Sequence, residues 1–158
     1  MDLENALKVL MESSRFFKTF NDAETRELLR CCTSRAFKGG ETIFKEDSGG
    51  TEMYIIVNGS VVVKKEGKTI DIIRSGECFG EMGALSGEKR SASAEASGDV
   101  ILLAVSESKL GTLDPAIQAK LFKNILLILS ERLRERIEEN VRMGSQSQDE
   151  KPAHTPGS

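Results

Sequence analysis

Hydrophobic residues recur at helical spacing in the first part of the chain. The apolar positions of residues 2–12 are Leu3, Ala6, Leu7 and Leu10. This spacing predicts a short amphipathic helix. A second helix is predicted over residues 22–32, because Asn21 and Glu24 form a pattern typical of helix starts. Residues 1–32 are therefore expected to form an N-terminal helical segment. Its aromatic residues, which are expected to lie in the core, are Phe16, Phe17 and Phe20.

From Thr33 onward, apolar and polar residues alternate, which is the period of a half-buried β-strand. The predicted strands are residues 34–38, 41–45, 52–57, 60–65, 69–74, 78–79, 91–96 and 100–105. Turn residues separate them at intervals of roughly 8–12 positions, as in an all-β roll or barrel. Residues 33–106 are therefore expected to form one β-roll.

Two pairs of these strands are predicted to be β-hairpins. Gly39-Gly40 separates the first and second strands, and Asn58-Gly59 separates the third and fourth. Asn-Gly is the strongest short-range hairpin signal, because both residues readily adopt the positive φ of a tight turn.

The helical period returns after the strands. Residues 106–113 are predicted to be a short helix or turn, and Asp114-Pro115 predicts the start of a long helix with Asp as its N-cap. This helix is expected to continue to about Met143, so that residues 107–143 form a C-terminal helical segment. Residues 144–158 are rich in Ser, Pro, Gly and Gln and are expected to be a disordered tail.

The long helix is apolar on nearly all sides in its first half. Its second half alternates charges and leaves a narrow apolar stripe of Leu133, Ile137 and Val141. A helix with several apolar faces has more than one surface to cover, and this favours a homodimer through the helix. The alternative is a single helix packed against its own barrel, because the stripe is too short to predict a coiled coil.

Composition and charge restrict the function further. The chain has 158 residues, of which 39% are hydrophobic, and a net charge of −3. This charge argues against a nucleic-acid-binding face or an anionic membrane partner. Neither a membrane span nor a signal sequence is predicted, so a cytoplasmic location is expected.

Few residues are candidates for catalysis or metal binding. The single histidine is His154, in the tail, and Cys31, Cys32 and Cys78 lack metal-ligand spacing and are expected to be reduced. No nucleophile–base pair can be placed, so a small β-roll enzyme is disfavoured. We predict no catalytic residue, no metal and no other cofactor.

Residues 79–92, with the sequence FGEMGALSGEKRSA, combine groups that suit a nucleotide. They place Glu81 nine residues before Arg90. A guanidinium makes bidentate hydrogen bonds to a phosphate, and a carboxylate accepts a hydrogen bond from a ribose 2′-hydroxyl. The alternative is a surface ion pair between Glu81 and Arg90, which typically contributes under about 1 kcal/mol.

The motifs Phe-Gly-Glu-Met and Arg-Ser-Ala in this segment resemble the phosphate-binding cassette of the cyclic-nucleotide-binding domains. That family includes bacterial catabolite-activator regulators, regulatory subunits of protein kinase A and cyclic-nucleotide-gated channels. The resemblance covers roughly residues 15–140. It implies an α+β fold: an eight-stranded antiparallel β-roll (jelly roll) with N-terminal helices, a short cassette helix and a long C-terminal helix.

The resemblance also implies a binding site for cAMP or cGMP. Glu81 would bind the ribose 2′-hydroxyl and Arg90 the cyclic phosphate. The other implied ligand-binding residues are Gly80, Met82, Gly83, Ser91 and Ala92. Arg132 and Arg136 are candidates to reach the base or the cassette, because in relatives the long helix moves over the ligand as a lid. Two positions depart from the family, since Gly83 and Lys89 stand where many relatives have alanine and proline.

The implied function is a non-catalytic sensor of a cyclic nucleotide, coupled through the C-terminal helix to an effector protein that the sequence does not identify. The chain as given is not expected to read DNA, because the family's helix-turn-helix would need further residues. Two alternatives stay open. One is a ligand-free interaction or dimerisation module of the same fold, and the other is a sensor of another phosphorylated ligand, such as a cyclic dinucleotide. The preference between cAMP and cGMP also stays open, because Ser91 can bond either a phosphate or a guanine edge.

Overall fold

A computed structural model describes residues 3–14 and 16–149 of the chain. Its helices are α1 (Leu3–Ser13), α2 (Asp22–Arg30), α3 (Glu81–Ser86), α4 (Glu107–Leu110) and α5 (Pro115–Asp149). Its strands are β1 (Thr33–Phe37), β2 (Thr42–Phe44), β3 (Glu52–Asn58), β4 (Ser60–Lys65), β5 (Lys68–Arg74), β6 (Cys78–Phe79), β7 (Ser93–Ala96) and β8 (Val100–Ser106). The predicted α+β fold class is confirmed.

The strands form two antiparallel sheets, with the orders β1-β8-β3-β6 and β2-β7-β4-β5. The pairing is nested along the chain, since β4 pairs with β5, β3 with β6, β2 with β7 and β1 with β8. The β3–β8 and β4–β7 pairs complete the two sheets. The strands are therefore one long double-stranded ribbon that is rolled up, which is a jelly roll.

The two predicted hairpins are wrong. The strands on either side of Gly39-Gly40 lie in different sheets, and so do the strands on either side of Asn58-Gly59. At the second of these corners, a Cβ on Gly59 would lie 2.5 Å from the Asp99 carbonyl oxygen, and the φ of Gly59 is +97°. Glycine is needed there for close backbone approach and positive φ, not for strand pairing. The innermost hairpin instead joins β4 to β5 through Glu66-Gly67, where both φ angles are positive (51° and 77°).

The side chains between the strands form one buried cluster. Its members are Tyr54, Ile56, Val61, Ile73, Phe79, Ala94, Ala96, Val100, Leu102 and Ala104. Tyr54 and Phe79 of this cluster and Phe44, which packs against it, form a group of aromatic rings. The centroid distances are 6.0 Å for Phe44–Tyr54, 5.9 Å for Phe44–Phe79 and 5.1 Å for Tyr54–Phe79. Close-packed rings of this kind form a rigid part of the core.

The N-terminal helices are held by the predicted aromatic cluster and the predicted helix start. Phe16, Phe17 and Phe20 are buried, as expected. At the start of α2 the Glu24 amide donates to Asn21 Oδ1 (2.9 Å), and the Asn21 amide donates to Glu24 Oε1 (3.1 Å), which is a capping box.

The three cysteines are free thiols. Burial, with a smaller contribution from the neighbouring Cys31, raises the pKa of the Cys32 thiol to about 12. The Cys32 thiol therefore stays protonated at neutral pH and donates to the Leu28 carbonyl oxygen at 3.3 Å. Reduced cysteines were the expectation from the sequence.

The chain divides into two compact units, Met1–Ile125 and Leu126–Ser158. Helix α5 begins at Pro115, as predicted. Asp114 is its N-cap, because the Ala116 amide donates to Asp114 Oδ1 at 2.8 Å. Within the first unit, the buried Asn124 of α5 donates to the Phe16 carbonyl oxygen at 2.7 Å.

The sequence predicted that helix α5 ends near Met143, but the helix continues to Asp149. Residues 144–149 of the expected disordered tail are therefore helical. A single helical glycine costs only about 1 kcal/mol relative to alanine, and the next proline after Gly144 is Pro152. The rest of the expected tail, residues 150–158, lies outside the described residues. None of the described helices combines the length and the hydropathy needed to cross a membrane.

Candidate functional site

The segment between β6 and Arg90 is shaped by two glycines with left-handed backbone. Gly80 has φ +74° and directs the chain from β6 into α3. Gly87 has φ +69° and ends α3, with its amide donating to the Gly83 carbonyl oxygen. Such angles cost glycine little and other residues about 1 kcal/mol or more. The six-residue helix is thereby folded back, and the chain after it returns to the roll at Arg90.

The backbone of Arg90 is fixed by the loop between β2 and β3. Its amide donates to the Ser48 carbonyl oxygen (2.9 Å), and its own carbonyl accepts from the Asp47 amide (2.8 Å). The side chain then turns inward and is only 5% exposed. Its Nη1 donates to the Gly80 carbonyl oxygen (3.0 Å), and its Nη2 donates to the Glu52 carbonyl oxygen (2.7 Å).

Aromatic rings of the core lie next to the guanidinium. Arg90 Cζ is 4.3 Å from the ring centroid of Phe44 and 5.8 Å from that of Tyr54. The negative face of an aromatic ring attracts a cation, by about 0.5–2 kcal/mol depending on desolvation. The rings therefore stabilise the charged side chain without contributing a negative charge.

The Glu52 carboxylate is bonded to side chains other than Arg90. Glu52 Oε1 and Oε2 accept from the two terminal nitrogens of Arg35 (2.7 and 2.8 Å), and Oε2 also accepts from the Tyr54 hydroxyl (3.1 Å). Burial, together with the nearby Glu52 charge, raises the pKa of the Tyr54 phenol. The phenol therefore stays protonated and keeps donating to Glu52.

Within the described part of the chain, Arg90 consequently has neither a counter-charge nor an acceptor for its Nε–H. No ion pair among the described residues includes Arg90. Its Nε is buried and has no hydrogen-bond partner. A buried unpartnered N–H costs about 1–3 kcal/mol, and more when the group is charged. The arrangement is suited to an anion that accepts hydrogen bonds at the Nε edge of the guanidinium.

Glu81 is the first residue of α3 and is also buried, with 8% of its surface exposed. Within the described part of the chain its carboxylate forms no ion pair. The alternative of a surface ion pair between Glu81 and Arg90 therefore does not fit, because both side chains are buried and they are not paired with each other.

The other predicted cassette residues are placed as follows. A Cβ on Gly80 or Gly83 would lie 2.9 or 2.8 Å from Arg90 Nη1, so both backbones contact the guanidinium. Met82 is 56% exposed. Ser91 is exposed and Ala92 is buried, and both lie just before β7. Their roles towards a ligand stay predictions.

Arg132 and Arg136 lie on the part of α5 that belongs to the second unit. A contact of either arginine with the cassette or with a base stays a prediction.

Sequence reasoning missed several residues around Arg90. A Cβ on Gly50 would lie 2.9 Å from Nη2 and 3.1 Å from Nε, so this glycine is needed for space. Its sequence signal, a Gly-Gly pair before a strand, is typical of any turn and does not indicate a contact with Arg90. Glu52 acts through its carbonyl oxygen, which every residue has, so no residue pattern could have identified it. Lys65 Nζ on β4 donates to the carbonyl oxygen of Ser91 (3.1 Å), which precedes the neighbouring strand β7, so this contact depends on strand register.

The chain is similar in sequence and in fold to known proteins. The family model described as cyclic nucleotide-binding domain matches residues 34–113. A cGMP-dependent protein kinase of Eimeria tenella is 28% identical over 117 residues, which are 74% of this chain but only 12% of that protein. The crystal structure of a cyclic nucleotide-binding domain from Methylobacillus flagellatus KT has a TM-score of 0.77 and 26% identity, covering 89% of this chain and 83% of that one. The catabolite activator protein of Thermus thermophilus has a TM-score of 0.68 and 28% identity, covering 83% of this chain and 63% of that one.

Proposed function

The chain belongs to the cyclic nucleotide-binding domain family, and from this premise we propose that it is a non-catalytic sensor of cAMP or cGMP. The observation that carries the proposal is the buried guanidinium of Arg90, which has an unpartnered Nε and no carboxylate partner among the described residues. A cyclic phosphate would supply both the negative charge and the acceptor oxygens. Glu81 is buried and forms no ion pair within the described residues, and its carboxylate would accept a hydrogen bond from the ribose 2′-hydroxyl.

The proposed sensor passes its signal on through α4 and α5. Two adjacent carbonyl groups at the start of β3 support this coupling. The Glu52 carbonyl accepts from Arg90 Nη2, and the Thr51 carbonyl accepts from the amide of Glu107, the first residue of α4 (3.0 Å). A phosphate that displaced the guanidinium would therefore also displace Thr51 and Glu52, and the Thr51 carbonyl is bonded to the first residue of α4. The ligand can shift the equilibrium between two positions of the helices only by as much as its affinities for these two positions differ.

The signal is proposed to reach a separate effector protein in the cytoplasm. Free cysteines are typical of that reducing compartment.

The test of the proposed function is isothermal titration calorimetry of the nucleotide-stripped protein with cAMP and cGMP in parallel. Saturable one-to-one binding of either nucleotide would support the proposal, and the ratio of the two affinities would give the base preference. A third titration with a cyclic dinucleotide tests the same pocket for a larger phosphorylated ligand. No heat and no thermal shift with any of them would favour the ligand-free interaction module instead.

Replacing Glu81 with alanine is expected to weaken cyclic nucleotide binding by about 1.5–3 kcal/mol, because a hydrogen bond to a charged group is lost. The affinity of each variant is measured by calorimetry with the nucleotide and with its 2′-deoxy analogue. The analogue should bind wild type and Glu81→Ala equally, since it lacks the hydroxyl that Glu81 accepts. Glu88→Ala, at an exposed position of the same cassette, is the matched control and should bind like wild type. A 2′-deoxy analogue that also loses affinity in Glu81→Ala would contradict the assigned role.

We also propose that the second part of α5 mediates a homodimer. Leu133, Ile137 and Val141 are 62%, 54% and 64% exposed and are spaced four residues apart on the helix. Leu133→Glu combined with Ile137→Glu is expected to shift the protein to a monomer in sedimentation velocity, because like charges would replace the apolar contact. Glu135→Lys, on another side of the helix, is the control and should leave the dimer intact. A wild-type protein that sediments as a monomer at high micromolar concentration would rule the dimer out.

A further inference from the structure

Gly83 lies where no side chain fits. A Cβ built on it would lie 2.6 Å from the Gly50 carbonyl oxygen and 2.8 Å from Arg90 Nη1. Both distances are far shorter than the 3.5–4.0 Å or so of favourable contact. Helix α3 therefore approaches the β2–β3 loop and the guanidinium more closely than an alanine at this position would allow.

Gly50 limits the guanidinium from another direction. Its hypothetical Cβ would lie 2.9 Å from Arg90 Nη2, 3.1 Å from Nε and 3.3 Å from Cζ. The planar group is thus bounded by the backbones of Gly50 and Gly83 and by the ring of Phe44, 4.3 Å away. Within these bounds, the Gly80 and Glu52 carbonyls accept its hydrogen bonds at 3.0 and 2.7 Å.

We propose that Gly83 is a positioning residue for nucleotide binding, which acts by seating the guanidinium of Arg90. The inference rests on the proposed function above and adds to it a residue whose effect comes from the side chain it lacks. Because α3 closes onto Gly50, Nη1 and Nη2 are fixed on their two carbonyls and the Nε edge keeps one orientation. A phosphate can then bind without first ordering the arginine, which lowers the cost of binding.

Alanine is a better helix former than glycine, so helix propensity does not account for glycine at position 83. Glycine here weakens the short helix in isolation but permits the contact with Gly50 and Arg90. An added methyl group cannot be accommodated by a rotamer change, because the nearest atom is the backbone oxygen of Gly50. Either α3 or the loop must move, and the Nη1 bond to Gly80 is then lost.

The first test is calorimetry of Gly83→Ala with whichever cyclic nucleotide binds wild type. The affinity is expected to fall about tenfold or more, because a misplacement of the binding group by an ångström is costly. Two alanine substitutions serve as controls, since a Cβ on Gly49 or on Gly144 would meet nothing within 4 Å. Gly144 is also helical, so Gly144→Ala matches the gain in helix propensity. Both controls should bind like wild type, and a Gly83→Ala protein with wild-type affinity would overturn the proposal.

The second test does not depend on the ligand. The Arg90 Nε–H signal is identified in a ¹⁵N–¹H NMR spectrum by its loss in Arg90→Lys. It is expected to be protected from solvent exchange in wild type, and in Gly83→Ala to shift and exchange at least tenfold faster. An unchanged signal in Gly83→Ala would overturn the positioning role even if nucleotide binding were lost.

The positioning role of Gly83 can be distinguished from a folding defect and from a failure of the proposed function. Gly50→Ala is the second variant, because the three atoms nearest to its methyl group would all belong to the guanidinium of Arg90. It is expected to change the same NMR signal, so an unfolded Gly83→Ala protein does not leave the role untested. If Gly50→Ala also left the signal unchanged, the positioning model would be wrong. If wild type bound neither nucleotide while the NMR signal responded as expected, the sensor function would fail and the seating of Arg90 would stand.

Discussion

Replacing Arg90 with alanine is expected to weaken binding of the cyclic nucleotide by about 2–5 kcal/mol, because the substitution leaves a buried phosphate charge unpaired. The structure explains why no neighbour can substitute for this arginine. In the described part of the chain, the guanidinium is the buried cation of the cassette, and its contacts are carbonyl oxygens and aromatic rings rather than other cations.

Calorimetric titration of Arg90→Ala measures this loss, and two further variants define its cause. Arg90→Lys retains the charge but not the planar fork of donors, so an intermediate affinity is expected. Arg74→Ala removes an exposed arginine from β5 and should bind like wild type. Thermal unfolding without nucleotide shows whether Arg90→Ala is folded. A folded Arg90→Ala protein with nearly wild-type affinity would exclude Arg90 as the phosphate ligand.

Replacing Phe16 with alanine is expected to lower the free energy of unfolding by about 3–5 kcal/mol. Phe16 is fully buried, and its ring lies 5.0 Å from that of Phe17 in an edge-to-face arrangement. The substitution removes the ring from the junction of the N-terminal helices with the first turns of α5, where Asn124 donates to the Phe16 carbonyl. Partial collapse of such a packed junction leaves a cavity, which adds to the lost burial of the ring.

Chemical denaturation followed by circular dichroism measures the Phe16→Ala effect. Val9→Ala is the control, since Val9 lies on the neighbouring helix α1 but is 54% exposed. Its effect should stay within about 0.5 kcal/mol, as is usual for surface substitutions. A loss below about 1 kcal/mol for Phe16→Ala would show that the junction repacks and that the N-terminal helices contribute little to stability.

The features that were predictable from the sequence depend on residues close together in the chain. The capping box of Asn21 and Glu24, the N-cap at Asp114 and the alternating burial along β7 each involve only a few consecutive positions. The cassette was recognisable for the same reason, since Glu81 and Arg90 belong to one segment with characteristic flanking residues. Short-range patterns of this kind report local backbone conformation and which face is buried.

The features that the sequence did not predict depend on which distant segments meet. Asn58-Gly59 has the chemistry of a hairpin turn, yet β3 pairs with β6 and β8, because rolling the ribbon buries the apolar faces of both sheets. The end of α5 was also misjudged, because a composition typical of disorder does not by itself stop a helix already begun.

By itself the sequence indicated the order of the elements, the burial of Phe16, Phe17 and Phe20, and the candidate ligand-binding residues Glu81 and Arg90. The tertiary structure alone decided how Arg90 is held. The bare backbone of Gly50 lies in the β2–β3 loop and the carbonyl of Glu52 at the start of β3, some forty residues earlier in the chain. Backbone carbonyls and the absence of a side chain leave no distinctive residue type, and their effect depends on distances of a few ångströms that packing of the two sheets sets. The chemistry of the site is therefore readable from its residues, whereas its geometry is a property of the fold.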